Sequence, residues 1–309
     1  ILEEPVVIAA EELLPGDLVQ FDRKKILGFI TQNGGRNTHA AILARSLGIP
    51  AVTGIQIDED VSVIVDGVEG KVIVNPTTEM SEHYQQKAAN WQSQRAEQKE
   101  DISGPAMTAN GEQIKIGVNL NTITEESIKH AEFVGLLRTE FLFMDNQHPP
   151  TEEEQFLAYR EAVSKARNKP VLLRTLDAGG DKTISFLPTA KEANPALGLR
   201  GLRLSLHYPE IFRTQLRAAL RASAFGDLRI MFPMVSSLDE LREAKTHFET
   251  IKAELHHEKT LFNEDVKIGV MIEVPSMAFI ADQVSAEVDF ASIGTNDLIQ
   301  YLQGADRMN

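Results

Sequence analysis

Apolar residues along this 309-residue chain gather in short continuous runs rather than in strict alternation with polar ones. Val6-Val7-Ile8-Ala9-Ala10, Ile26 to Thr31, Ala51-Val52-Thr53, Val61 to Val65 and Lys71-Val72-Ile73-Val74 read as strands. Between the second and third of them the spacing predicts a helix over 39–47. It closes at Gly48, with Pro50 just beyond. Residues 1–78 therefore predict a small α/β domain, with helices over a sheet.

Residues 79–104 change character. Glu79 to Asp101 is rich in Gln, Glu, Lys and Ala and holds neither Gly nor Pro, and Gly104-Pro105 follows. That composition predicts one long helix, polar nearly all round, of the kind that bridges domains. A coiled coil is the weaker alternative, because no sustained a/d stripe is present.

From 105 to 309 apolar runs alternate with helical stretches. The runs are Ile116 to Leu120, Val134 to Leu137, Val171 to Leu173, Leu228 to Phe232, Lys267 to Ile272 and Phe290 to Ile293. Helical spacing fills 152–167, 209–223, 238–256 and 276–284. Continuous apolar strands with helical crossovers predict parallel strands covered on both faces. No tight hairpin signal joins them, since Asn110-Gly111 lies before the first. Strand after strand closes on a polar residue: Asn119, Arg138, Arg174, Glu273, then Asn296 and Asp297. That regularity favours a TIM-type (β/α)8 barrel, whose C-terminal strand ends form one mouth, over an open doubly wound sheet. The count reaches six strands, about two βα units short of the eight that such a barrel needs.

Composition narrows the function. An apolar share of 42% supplies a core, and a net charge of −14 argues against nucleic acid or an anionic membrane surface as partner. There is no cysteine, so neither disulfides nor thiolate chemistry arise within these residues. No apolar run reaches the ~20 residues of a membrane span. The first residue is Ile1, not methionine. The expectation is a piece of a longer protein, with the cytoplasm as default location.

The candidate chemistry sits in two places. Gly34-Gly35-Arg36-Asn37-Thr38-His39-Ala40 puts a histidine in the first turn of the predicted helix, behind a glycine turn. Free N–H groups and the positive end of the helix dipole gather there. Such a place suits phosphate and keeps an imidazole neutral and nucleophilic. The plain alternative is a helix start with a polar histidine. In the second region Arg138, Arg174 and Arg200 lie at or near strand ends, with Arg203 and Arg307 as further candidates. Their planar forks match phosphate or carboxylate. Lys182 follows the glycine-bearing loop Asp177-Ala178-Gly179-Gly180-Asp181. Glu273 and Asp297 end neighbouring strands, where two carboxylates can share one Mg²⁺; salt bridges to the arginines are the alternative.

These motifs have a family resemblance. Gly34 to Ile42 resembles a phosphohistidine swivel motif. Gly135-Leu136-Leu137-Arg138-Thr139-Glu140, Leu173-Arg174-Thr175-Leu176-Asp177-Ala178-Gly179-Gly180-Asp181-Lys182, Asn194 to Arg203, Met231-Phe232-Pro233-Met234 and Ser292-Ile293-Gly294-Thr295-Asn296-Asp297-Leu298 follow in family order. Together they resemble the enzyme I family of the bacterial phosphoenolpyruvate:sugar phosphotransferase system, over nearly the whole chain. The swivel motif alone is shared with pyruvate phosphate dikinase and phosphoenolpyruvate synthase.

The resemblance implies a phosphohistidine swivel α/β domain over 1–78, a helical linker over 79–104 and a phosphoenolpyruvate-binding TIM barrel over 105–309, truncated to about six of eight βα units. It implies His39 as phosphoryl acceptor on Nε2 and HPr as the carrier that takes the group onward. Arg138, Arg174, Lys182, Arg200, Asn296 and Arg307 would bind phosphoenolpyruvate, and Glu273 and Asp297 would hold Mg²⁺. It further implies domain travel during the cycle and a homodimer through the barrel. Two departures stand out. The helical carrier-docking insertion of the family has no counterpart here, and neither does the cysteine that supplies a proton to the enolate. The competing readings are a nucleotide-coupled dikinase or synthase, and a non-catalytic, phosphoenolpyruvate-sensing relative.

Overall fold

A computed structural model describes residues 4–11, 25–33, 44, 48–57, 61–101 (without side chains from 95), 104–144, 146–179, 184–187 and 192–306. The chain divides into two compact units, Ile1–Ile102 and Ser103–Arg307.

In the first unit, β1 (Val6–Ala10), β2 (Ile26–Thr31) and β3 (Ala51–Thr53) form a parallel sheet with β2 in the middle. The central place of β2 follows from its sequence, apolar throughout except at Gly28 and Thr31, and buried at all but one position from Leu27 on. Ile26, Phe29, Ala44 and Ile49 make its core. Of the helix expected over 39–47, only Ala44 lies among the described residues, and it is helical. β4 (Val63–Asp66) and β5 (Lys71–Val74) pair antiparallel. Their turn is held by the Asp66 carboxylate, which accepts from the N–H groups of Val68 and Glu69. The long polar helix is present as α1 (Thr78–Asp101). Its Lys87 reaches back to Asp66 at 2.7 Å and to Glu69, so the first half of α1 is moored to this hairpin.

The second unit is built on six parallel strands: β8 (Gly117–Leu120), β9 (Phe133–Leu137), β10 (Val171–Arg174), β11 (Leu228–Phe232), β12 (Ile268–Ile272) and β13 (Phe290–Ile293). They neighbour one another in sequence order, with no reversal. An open doubly wound sheet would show a switch point; an unbroken order is that of a barrel wall. Ahead of it lies an antiparallel pair, β6 (Ala106–Met107) and β7 (Gln113–Ile114), closed around Asn110-Gly111. Two-residue strands carry no period, and only the Asn-Gly turn announces them.

Helices α2 (Glu125–Ile128), α3 (Phe141–Met144), α4 (Glu152–Lys165), α5 (Gly201–His207), α6 (Pro209–Ser223), α7 (Leu238–His257), α8 (Pro275–Phe279), α9 (Ala281–Ser285) and α10 (Thr295–Gln303) complete the described part. The helix expected over 276–284 is thus two, interrupted at Ile280. α4 starts where the sequence dictates. Thr151 accepts from the Glu154 N–H, and the Glu154 carboxylate accepts from the Thr151 N–H at 2.8 Å, a reciprocal cap. Two apolar layers flank the sheet. A large one packs helices on its outside, with Phe156, Phe212, Phe232 and Phe248 in it; a small one, Leu136, Met231 and Met271, lines the other face. Among the described residues no helix is long and apolar enough to cross a membrane.

Candidate active site

The parallel order brings the C-terminal ends of six strands to one rim, and charged side chains converge there. Arg174 is the last residue of β10. Its Nη2 binds Glu140 Oε1 at 2.6 Å and its Nη1 binds Asp177 Oδ2 at 3.3 Å, while Nη1 also lies 3.8 Å from Met271 Sδ. Arg200 stands at the N-cap of α5. It holds Asp177 through two oxygens at 3.2 Å each and Asp297 Oδ1 at 3.1 Å, and its Nη1 is 3.4 Å from the Tyr301 hydroxyl. Glu273 follows β12, and its Oε1 accepts the Met234 N–H at 2.7 Å. Met234 takes a positive φ of 52° to present that N–H. Gly294 is required opposite: a Cβ there would lie 2.5 Å from Glu273 Oε2.

Arg174, Arg200, Glu140, Asp177, Glu273 and Asp297 are all buried. Four carboxylates thus face two buried guanidiniums. The guanidiniums respond by holding their protons more firmly: burial opposes this, but Glu140 and Asp177 outweigh it at Arg174, and Asp177 and Asp297 at Arg200. Glu273 is left with the deficit. Burial, then Asp177 and Asp297, push its carboxyl up to about 7, against the Met234 N–H and Arg174, which pull it down. Beside the cluster, Arg138 is half-buried and donates to Asn121 Oδ1 at 3.2 Å. Burial and the neighbouring Arg174 charge lower its proton affinity. Two mutually repelling guanidiniums call for an anion between them. Among the described residues, buried Arg174 Nε, Glu140 Oε2 and Thr175 Oγ1 have no hydrogen-bond partner. Such orphaned polar groups mark a place where a bound group completes the network.

The donor set suits a hard divalent cation. Mg²⁺ takes one or two carboxylates and fills its shell with water and ligand oxygens. Among the described residues no group of three His, Cys, Asp or Glu side chains forms a protein-only cage. A pair of carboxylates with an unrelieved negative excess meets the smaller requirement.

Of the residues singled out from sequence, Arg174, Arg200, Glu273 and Asp297 come together, and Arg138 lies next to Arg174. Asn296 is exposed. It and Asp297 do not end the sixth strand, as the sequence reading had it. β13 stops at Ile293, and Gly294, whose N–H still donates to Ile272 O, is the N-cap of α10, so both fall in the first turn of that helix. His39, Lys182 and Arg307 lie outside the described residues. The sequence reading assigned no role to Glu140, Asp177 or Tyr301. Their signal was spacing: Glu140 two after Arg138, Asp177 three after Arg174, and Tyr301 one helical turn after Asp297.

The raised Glu273 carboxyl has a measurable consequence. Its folded value lies above the ordinary 4.5, so the unfolded chain gives up the proton first. The metal-free chain therefore loses stability as pH rises from about 4.5 towards 7. Glu273→Gln removes this loss. In EDTA the variant is expected to exceed the parent chain by roughly 3 kcal/mol at pH 8, and by far less at pH 5. Urea unfolding at the two pH values checks it. An advantage that does not grow between them would show an ordinary carboxylate.

Two family models match the chain. That of the PEP-utilising enzyme, PEP-binding domain, covers residues 95–309, and that of the PEP-utilising enzyme, mobile domain, covers residues 2–76. The chain is 47% identical to a phosphoenolpyruvate-protein phosphotransferase of Priestia megaterium over 319 aligned positions, and 46% identical to that of Bacillus subtilis (strain 168) over 318. The relative of the same name from Buchnera aphidicola subsp. Baizongia pistaciae (strain Bp) is 42% identical. In each case the alignment takes in 100% of this chain and 55% of the relative, so the chain spans about half the length of the curated relatives it matches.

Proposed function

The chain belongs to the PEP-utilising enzymes, and from that membership we propose that it carries the donor site and the acceptor histidine of a phosphoenolpyruvate–protein phosphotransferase. The observation that carries this reading is the convergence of Arg174 and Arg200 on Asp177, Glu273 and Asp297 at one rim of the parallel sheet. Phosphoenolpyruvate is small and bears a phosphate and a carboxylate, both matched by guanidinium forks. Arg138, Arg174, Arg200, Asn296, Lys182 and Arg307 are its proposed binding residues, and Glu273 with Asp297 the proposed Mg²⁺ ligands.

The residues then divide the work. The buried Arg174 Nε–H, without a partner among the described residues, remains available to an acceptor, and the ion pairs of Arg174 with Glu140 and Asp177 fix the plane of its fork. Arg200 is braced in the same way by Asp177, Asp297 and Tyr301. A fork already held in place stabilises charge on the moving phosphoryl group without reorganising. The neutral His39 imidazole attacks phosphorus through Nε2, the bond from phosphorus to the enol oxygen breaks, and the enolate leaves to be protonated to pyruvate. When bound, Mg²⁺ neutralises charge on the phosphoryl oxygens. An HPr-type carrier takes the group onward, the first unit serves as the swivel domain, and two second units pair as a homodimer in this reading.

Calorimetric titration with phosphoenolpyruvate tests it, in a His39→Ala background so that binding alone is read. Saturable binding is expected with Mg²⁺, weakened at least tenfold by EDTA. Heat no larger than dilution in both arms would overturn the proposal.

A further inference from the structure

A second polar network lies behind the charged cluster, in the layer between the sheet and its outer helices. Gln215 of α6 is 1% exposed, and both amide hydrogens and the carbonyl oxygen of its side chain are engaged. Its Oε1 accepts the Leu176 N–H at 2.9 Å; its Nε2 donates to Thr139 Oγ1 at 3.2 Å and to the Tyr159 hydroxyl at 3.1 Å. Thr139 passes its own proton to the carbonyl of Arg174 at 3.0 Å, and Tyr159 passes its own to Gln155 Oε1 at 3.1 Å. Every donor in this circuit has one acceptor, so the carboxamide has a single workable orientation.

The place where the circuit meets the sheet matters. Thr175 donates its N–H to Met231 O of β11. Alternate residues of a strand face opposite neighbours, so Arg174 C=O and Leu176 N–H point towards β9. The β9–β10 pairing slips between Val171 and Leu173 and is last recorded at Leu173 with Leu137. Beyond it, Thr139 and Gln215 side chains take those two backbone groups in place of a ladder. The backbone so tied carries Glu140 on one side and Arg174 and Asp177 on the other, the ion-paired trio of the rim.

We propose that Gln215 and Thr139 are positioning residues, which hold the ends of β9 and β10 so that the Arg174 guanidinium meets its ligand in register. The proposal rests on the reading of the rim as a phosphoenolpyruvate site. It adds that site's affinity to the duties of an outer helix, α6, that supplies none of the proposed binding residues. Partners that orient the groups of a site typically govern its affinity by about 10- to 100-fold.

The variants are Gln215→Met, Thr139→Val and Thr139→Ser, each in the full chain with His39→Ala and each titrated with phosphoenolpyruvate and Mg²⁺ well below its melting temperature. Thr139→Val keeps the volume and loses the hydroxyl. It is expected to raise Kd about tenfold, and Gln215→Met at least as much. Thr139→Ser restores the hydroxyl and is expected to bind within about twofold of the parent, a rescue that lost packing alone does not produce. Variants with lowered melting temperature and unchanged Kd would overturn the positioning role and leave the site reading intact. A parent chain that binds none overturns the site reading, and the positioning role with it.

Discussion

Given radiolabelled phosphoenolpyruvate and Mg²⁺, the chain is expected to acquire acid-labile label, and His39→Ala to acquire none. The loss should be complete because no other histidine of the chain has the sequence setting of His39. The chain has no cysteine, and none of the seven histidines other than His39 follows a glycine pair. His83 and His207 lie edge-on to Tyr84 and Tyr208, His247 packs against Phe212, and His256 and His257 close the last turn of α7. His130 and His148 follow no glycine turn. Only His39 follows a Gly-Gly pair and an expected helix start, a sequence setting that favours an anion and disfavours a charged ring. Label that survives in His39→Ala would end the idea of this acceptor, whatever the second unit binds.

How far the sequence carries the reader differs between backbone and site. The four inner strands of the second unit, β9 to β12, are legible because burial on both faces demands unbroken apolar runs, and Leu228 to Phe232 coincides with β11 residue for residue. Elements with weak demands escape. The 106–114 hairpin rests on two-residue strands, and α8 and α9 are divided by the backbone at Ile280 rather than by Gly or Pro. The arginines of the rim are legible as charges at the ends of apolar runs. Most of their partners are not, because all but the Arg174–Asp177 pair are long-range: Arg200 meets Asp297 across 97 positions of sequence. No local pattern reports which distant carboxylate a fork will find. The Gln215 circuit is hidden for the same reason, since a glutamine on an amphipathic helix reads as surface until its neighbours are known.

Arg174→Met separates what the guanidinium does for folding from what it does for a ligand. Methionine is close in length and fills the apolar side of the site beside Met271, so packing changes little. The charge change is large. Glu140 and Asp177, both buried, each lose an ion-pair partner at 2.6 Å and 3.3 Å. Removing one member of a buried pair typically costs about 3–5 kcal/mol, because the remaining charge stays desolvated. Asp177 keeps Arg200, so Glu140 bears most of the penalty. Glu140→Gln added to Arg174→Met is therefore expected to recover over half of the lost stability in urea unfolding. Phosphoenolpyruvate binding should not recover with it, because the fork that reads the anion is still missing. Arg174→Lys belongs between the two: a single ammonium keeps the charge but does not span both Glu140 Oε1 and Asp177 Oδ2. If stability and binding return together in the double variant, Arg174 serves as a counter-ion for Glu140 and not as a ligand-binding group. The rim would then need another cation to read phosphate, with Arg138 the nearest in kind.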